Sequence, residues 1–133
     1  MIDASARGPD AAAIMKLAQA AVARLPAVFR EHLHGVVIRI EEFADKETLQ
    51  ELGLDSAWEL TGLYQGRPLP EQSIWSSGDL PPTISLFRRP LLNEWEETGV
   101  SFEDLVSHVI VHEVGHHFGL SDDQMHAIEN DLS

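Results

Sequence analysis

Residues 108–123 read His-Val-Ile-Val-His-Glu-Val-Gly-His-His-Phe-Gly-Leu-Ser-Asp-Asp, and they hold the densest group of metal-binding and proton-transfer side chains in the chain. Within this stretch, His112, Glu113 and His116 form the pattern His-Glu-x-x-His. Residues four apart on a helix lie on one face, one turn apart, so both imidazoles can reach one metal ion. The pattern therefore predicts a helix that carries two zinc ligands.

Glu113 follows the first of these histidines in sequence but lies about 100° further around the helix. It is therefore better placed to hydrogen-bond a water molecule beside the metal than to bind the metal itself. The pattern predicts that Glu113 is a general base.

A catalytic zinc site usually has three protein ligands, so the pattern requires a third one. Gly119 can end the helix in the left-handed conformation, and Asp122 completes the longer pattern His-Glu-x-x-His-x-x-Gly-x-x-Asp. We therefore expect Asp122 to be the third ligand, where most metzincins have a histidine. Ser121 and Gln124 also have the spacing of a capping box, which would place Asp122 in the first turn of a following helix, and both roles are compatible.

Other histidines compete for this role. His108 lies one turn before the first ligand, but the outer pair of three ligands at successive turns would be about 12 Å apart, too far for one ion. His117 is rotated about 100° from its neighbour, and we expect it to hydrogen-bond inside the core or to cap the helix end. His126 would share a helix face with the predicted aspartate, so it is the rival third ligand.

The run HEVGHHFGLSDDQM, at residues 112–125, resembles the small bacterial zincin-like metallopeptidases, which have about the length of this chain. The resemblance implies a minimal zincin fold of the α+β class, with a small mixed sheet packed on helices and the metal motif on a C-terminal helix. It also implies one Zn²⁺ per chain, bound by His112, His116 and Asp122, with Glu113 as the base and a peptide or protein as the substrate.

The composition is that of one globular domain, because 133 residues with 44% hydrophobic content can bury a core but leave no room for a second domain. We predict a single domain over residues 1–133, with residues 1–8 frayed. The chain has 0 cysteines, so a metal would be held by nitrogen and oxygen ligands.

The charge is strongly acidic, with 9 Lys and Arg residues against 22 Asp and Glu residues and a formal net charge of -13. This charge repels nucleic acid and anionic lipid, so neither is expected as a partner, and a basic or neutral partner is favoured. Solubility is the simpler explanation of the acidity. Neither a leader segment nor an apolar run of roughly 20 residues is present, so we expect a cytoplasmic protein without a membrane span.

Hydrophobic periodicity and turn residues predict the scaffold around the motif. The predicted elements are a helix over 9–25, a further helical turn over 28–33, strands over 36–41, 58–65 and 83–88, a helix over 46–52, a surface loop over 66–82, a helix from Pro90 to Gly99, and the motif helix that Ser101 caps. By the resemblance, the strand over 83–88 would lie at the sheet edge above the motif helix and bind extended substrate by main-chain pairing.

Two functions of different classes fit this sequence. The first is a zinc metallopeptidase, in which the metal activates water and Glu113 transfers the proton. The alternative is a metal-stabilised binding or regulatory module, in which the ion holds the C-terminal segment in place and nothing is hydrolysed. An interaction protein without a metal would require the three motif residues to be coincidental.

Overall fold

The computed structural model describes residues 8–66, 81–121 and 123–127. Its elements in chain order are α1 (Ala11–Ala23), α2 (Ala27–Arg30), β1 (Val37–Glu41), α3 (Lys46–Leu52), β2 (Gly62–Gln65), β3 (Thr83–Phe87), α4 (Arg88–Thr98) and α5 (Phe102–Phe118). A short helical segment over 123–127 follows α5. The predicted elements are present, but α4 begins at Arg88 and not at the predicted Pro90. Two further differences are described below, and residues 1–7 and 67–80 of the predicted frayed segment and surface loop lie outside the described residues.

The three strands form a small mixed sheet in the order β1-β3-β2. β1 runs parallel to β3, and β2 runs antiparallel to it. Helices and a mixed sheet together confirm the predicted α+β class.

The prediction that the strand over 83–88 lies at the sheet edge is wrong. β3 pairs on both sides and is therefore the central strand. All its residues after Thr83 are buried, as expected for a strand that is covered on both faces. β2 is the edge strand beside the motif helix.

The second difference is in the predicted strand over 58–65, of which only Gly62–Gln65 is extended. A 3-10 turn occupies Ala57–Glu59, and the Ser56 side chain accepts a hydrogen bond from the Trp58 N–H. The Glu59 carboxylate accepts in return from the Ser56 N–H, which completes a capping box. Local side-chain bonding of this kind competes with strand pairing and starts a helical turn instead.

The motif helix α5 lies against α1 and the sheet, and it also contacts α4. Its buried residues face a core that includes Ile14 and Ala18 of α1 and Ile84 and Leu86 of β3. Because α5 is buried along most of its length, the motif near its C-terminal end is held on a rigid support. No helix among the described residues is long and apolar enough to cross a membrane.

Both ends of α5 are built as the sequence predicts. The Ser101 side chain accepts a hydrogen bond from the Asp104 N–H at 3.1 Å and caps the N-terminus. Gly119, with φ 69°, ends the helix in the left-handed conformation. The Leu120 N–H then donates to the Gly115 carbonyl at 2.9 Å, which turns the chain back toward the helix.

Candidate metal and catalytic site

The motif residues converge on one point of α5. The ligand atoms of His112, Glu113 and His116 all lie within 4.8 Å of one another. The two imidazole rings have centroids 5.6 Å apart, as expected for residues one turn apart on one helix face. Within residues 8–66, 81–121 and 123–127, this is the one group of three metal-ligating side chains that converges in this way.

The Glu113 carboxylate lies deeper than the His116 ring. The Glu113 side chain is 12% exposed and that of His116 is 51% exposed, with 4.0 Å between Oε1 and Nε2. Burial raises the pKa of the Glu113 carboxyl, and this outweighs two opposing influences, the charge of His112 and a hydrogen bond from the Tyr64 backbone N–H. Glu113 is therefore held by the sheet as well as by its own helix.

The hydrogen bond from Tyr64 follows from the pairing of β2. The Phe87 N–H donates to the Thr61 carbonyl at 2.9 Å, so residues 61 and 63 of this antiparallel pair point their main-chain groups toward β3. Gly62 and Tyr64 must then point theirs away from β3, toward the outer edge of β2, which pairs with no other strand among residues 8–66, 81–121 and 123–127. The Tyr64 N–H on this outer edge reaches the Glu113 carboxylate.

The Tyr64 side chain is fixed by the histidine next to the motif. The Tyr64 hydroxyl lies 2.7 Å from Nδ1 of His117, and Nε2 of His117 lies 3.2 Å from the His32 carbonyl oxygen. A carbonyl can only accept, so Nε2 carries the proton and Nδ1 accepts from the tyrosine. His117 is 2% exposed, and burial lowers the pKa of its imidazole. The prediction that His117 hydrogen-bonds inside the core is confirmed.

A cleft with a volume of about 480 Å³ opens beside Glu113 and His116. The residues that line it are Leu52, Leu54, Leu60, Gly62, Leu63, Tyr64, Glu113 and His116. Sequence patterns assigned Leu52 to a helix and Leu60, Leu63 and Tyr64 to a strand, left Leu54 unassigned, and gave no signal that the residues meet at the motif. The two leucines on either side of Gly53 are the one hint that the sequence contains.

The predicted third ligand, Asp122, lies outside the described residues. Its neighbours do form the predicted capping box, since the Ser121 N–H donates to the Gln124 side chain at 2.8 Å and the Gln124 N–H donates to the Ser121 hydroxyl at 3.2 Å. His126 is exposed on the helical segment 123–127 and is not part of the converging group. The choice between Asp122 and His126 stays a prediction.

His108 lies one turn before His112, with ring centroids 6.0 Å apart. It lines a separate pocket with Thr98, Val100, Asp104 and Leu105, and it does not join the converging group. This placement agrees with the expectation that His108 is not a ligand.

Met125 packs against the middle of the motif. Its side chain is 4% exposed, and a Cβ atom added at Gly115 would collide with its Sδ and Cγ atoms. Gly115 lies between the two histidines of the motif, so the absence of a side chain there allows the segment 123–127 to approach the motif helix closely.

The donor set fits a zinc ion. Two imidazole nitrogens near a carboxylate, with 0 cysteines in the chain, are ligands that suit zinc and other borderline divalent metals. The outer edge of β2 and the cleft lie on the same side of α5 as these donors, because Tyr64 and Gly62 line the cleft with Glu113. A His-Glu-x-x-His helix beside an edge strand defines a zincin type of metal site.

Comparison with known protein families agrees with this site. The model of the zincin-like metallopeptidase family matches residues 33–132, which is most of the chain and includes all strands and the motif. The chain therefore belongs to the zincin-like metallopeptidase family, which confirms the family that the motif predicted. Membership implies a divalent metal. No curated protein matches the chain.

Proposed function

We propose that this protein is a zinc-dependent metallopeptidase that hydrolyses peptide bonds with one Zn²⁺ per chain. His112 and His116 would hold the ion together with Asp122, and His126 is the alternative third ligand. When bound, the ion would polarise the scissile carbonyl and acidify a water molecule. The observation that carries the proposal is the convergence of two imidazoles and a carboxylate within 4.8 Å beside a cleft.

Glu113 would act as the general base. Its carboxylate is largely shielded and accepts a hydrogen bond from the Tyr64 N–H, so its orientation is fixed before substrate binds. From this position Glu113 would take a proton from water and pass it to the leaving amine. A base that is already oriented loses little freedom during the reaction.

The outer edge of β2 would bind the substrate main chain. The Gly62 N–H and carbonyl point away from β3 along the edge beside the cleft. An extended peptide could pair with these groups as an added strand and bring its scissile bond toward Glu113. β2 thus takes the role that the sequence had assigned to the strand over 83–88.

The first test replaces Glu113 by glutamine, which keeps the shape of the side chain but removes the base. We expect the Glu113→Gln variant to bind one zinc ion and to lose about 10²- to 10⁴-fold in hydrolysis of a peptide library, as is typical when a general base is removed. Glu96→Gln, on the exposed face of α4, changes the net charge equally and should keep full activity. Equal hydrolysis by the wild type and the Glu113→Gln variant would exclude this mechanism.

The second test identifies the third ligand. We expect Asp122→Ala to weaken zinc binding, measured by isothermal titration calorimetry, while Asp123→Ala, one residue further and exposed, leaves it unchanged. If His126→Ala weakens binding instead, the rival ligand is correct. If the wild type binds zinc and melts at a higher temperature but cleaves no peptide, the metal stabilises a binding module and the protein is not a peptidase.

A further inference from the structure

We propose that the cleft beside Glu113 selects a substrate with an aliphatic or aromatic side chain next to the scissile bond. This inference rests on the proposed peptidase function and deepens it. The relevant surface is the leucine cleft, which we define by Leu52, Leu54, Leu60 and Leu63. These residues all lie in the stretch 52–63, which runs from the end of α3 into β2, and they meet beside Glu113 and His116.

The end of α3 places two of the four leucines. Gly53, with φ 70°, follows Leu52 in the left-handed conformation. The Leu54 N–H then donates to the Leu49 carbonyl at 2.9 Å, which reverses the chain within one residue of the helix. Leu52 and Leu54 therefore both line the cleft, although they flank a turn.

The four leucines are not needed to build the protein's core. None of them belongs to the core cluster of the described residues, and none is among the partly buried side chains that pack against it. Leu52 is 46% exposed. Leu54, Leu60 and Leu63 are half-buried. A group of partly exposed leucines outside the core and beside polar catalytic residues is typical of a ligand surface, because exposure of contiguous apolar area is otherwise unfavourable.

The size and charge of the cleft indicate the kind of side chain it takes. Its volume of about 480 Å³ falls in the range of roughly 300–1,000 Å³ that is usual for ligand sites. Glu113 is the acidic residue among the lining side chains, and His116 is the imidazole. Neither would be free to bind a charged substrate side chain, since both are assigned to the metal and the proton transfer. The net charge of -13 further disfavours acidic substrates.

The test compares five-residue peptides with blocked ends that differ at one position. The central residue is leucine, phenylalanine, alanine or glutamate, with alanine elsewhere. We expect kcat/KM for leucine and phenylalanine to exceed that for alanine by about tenfold to a hundredfold, as burial of the larger side chain predicts. Hydrolysis without this preference would overturn the leucine cleft and leave the metallopeptidase proposal intact.

Binding gives a second readout that does not require hydrolysis. The zinc-loaded Glu113→Gln variant, labelled at leucine methyl groups, is titrated with the same peptides and followed by NMR. We expect the leucine and phenylalanine peptides to shift methyl signals of Leu52, Leu54, Leu60 and Leu63 at lower concentration than the alanine peptide. Tighter binding in this order without wild-type cleavage would support the cleft and refute the peptidase. Binding that shows no preference would refute the cleft.

A change of charge in the cleft should change the preference. Leu52 ends α3, where a cation is favourable, so Leu52→Lys should fold normally and shift the preference at least about tenfold toward the glutamate peptide. Val28→Lys is the matched control, because Val28 is exposed on α2, does not line the cleft and changes the net charge equally. Equal effects of the two substitutions would show that only the overall charge matters and would overturn the proposal.

Discussion

The contact between Tyr64 and His117 joins the edge strand to the motif helix, and its removal should destabilise the protein. Tyr64→Phe keeps the ring and deletes the hydroxyl that donates to Nδ1 of His117 at 2.7 Å. Because His117 is 2% exposed, water has little access to the acceptor that is left. An unsatisfied buried polar group costs about 1–3 kcal/mol, so we expect the free energy of unfolding to fall by about that amount.

The assay is a double-mutant cycle by urea unfolding at constant pH. His117→Leu removes the acceptor with an apolar side chain of similar size, and Tyr64→Phe is then measured in both backgrounds. We expect Tyr64→Phe to cost less than about 0.5 kcal/mol when His117 is absent, which gives a coupling energy of about 1–2 kcal/mol. The slope of the free energy of unfolding against urea concentration should be the same in all four proteins, since none of the substitutions changes the surface that unfolding exposes. An equal cost of Tyr64→Phe in both backgrounds would refute the coupling.

Three further predictions follow from α5 and its neighbours. Gly62→Ala should lower the free energy of unfolding by about 1–3 kcal/mol, because the new Cβ would press on Val109 of α5. Gly35 has open space around it, so Gly35→Ala should not lower the free energy of unfolding. Similar losses at both glycines would contradict this prediction. Ser101→Ala should cost about 0.5–2 kcal/mol in urea unfolding through loss of the cap on α5, and an unchanged midpoint would show that the cap is dispensable. Saturation with zinc at 100 times Kd should stabilise the protein by about 2.7 kcal/mol in thermal melts, and EDTA should reverse this; melts that do not respond to zinc would contradict a bound ion.

Local signals predicted the helices well because their ends are set by side chains close in sequence. Asp45 caps α3 by accepting from the Thr48 N–H at 2.8 Å, and Gly53 ends the same helix. Ser101 and Gly119 bound α5 in the same way. The histidine spacing of the motif is also local, since it depends only on the pitch of one helix.

The order of the strands could not be predicted in the same way. Alternation in Thr83–Phe87 shows a strand with a buried face, but it does not show whether one or two neighbours pair with it. β3 is central because β1 and β2 pair on its two sides, and these strands are far from each other in sequence. The edge beside the motif therefore had to be found from the structure.

The support of Glu113 was also beyond sequence reasoning. The group that holds the carboxylate is the backbone N–H of Tyr64, and every residue other than proline has such a group. Only the pairing of β2 with β3 determines that the Tyr64 N–H points outward. The aromatic and histidine side chains behind it meet across 53 positions of sequence. A carboxylate that is positioned by main chain leaves no motif for the residue that holds it.

The packing of Met125 against Gly115 is expected to link the segment 123–127 to metal binding. Gly115→Ala would improve the helix propensity of α5 by about 1 kcal/mol, but its Cβ collides with Met125. Displacing a methionine that is 4% exposed forfeits contacts worth about 2–5 kcal/mol, so the net result should be destabilisation by about 1–4 kcal/mol. Because the predicted ligand Asp122 and its rival His126 flank this methionine in sequence, zinc affinity should fall as well.

Measuring Gly115→Ala in a protein that lacks the Met125 side chain shows whether the collision with Met125 causes the destabilisation. In Met125→Ala, the atoms that the new Cβ would meet are gone, so Gly115→Ala should become neutral or stabilising by up to about 1 kcal/mol. Urea unfolding of the four proteins measures this reversal, and zinc titration of the same four shows whether metal binding follows the position of 123–127. If Gly115→Ala destabilises both backgrounds equally, the close approach of Met125 does not explain the glycine. If unfolding reverses but zinc affinity is the same in all four proteins, the segment after α5 supplies no ligand, and the third ligand lies elsewhere.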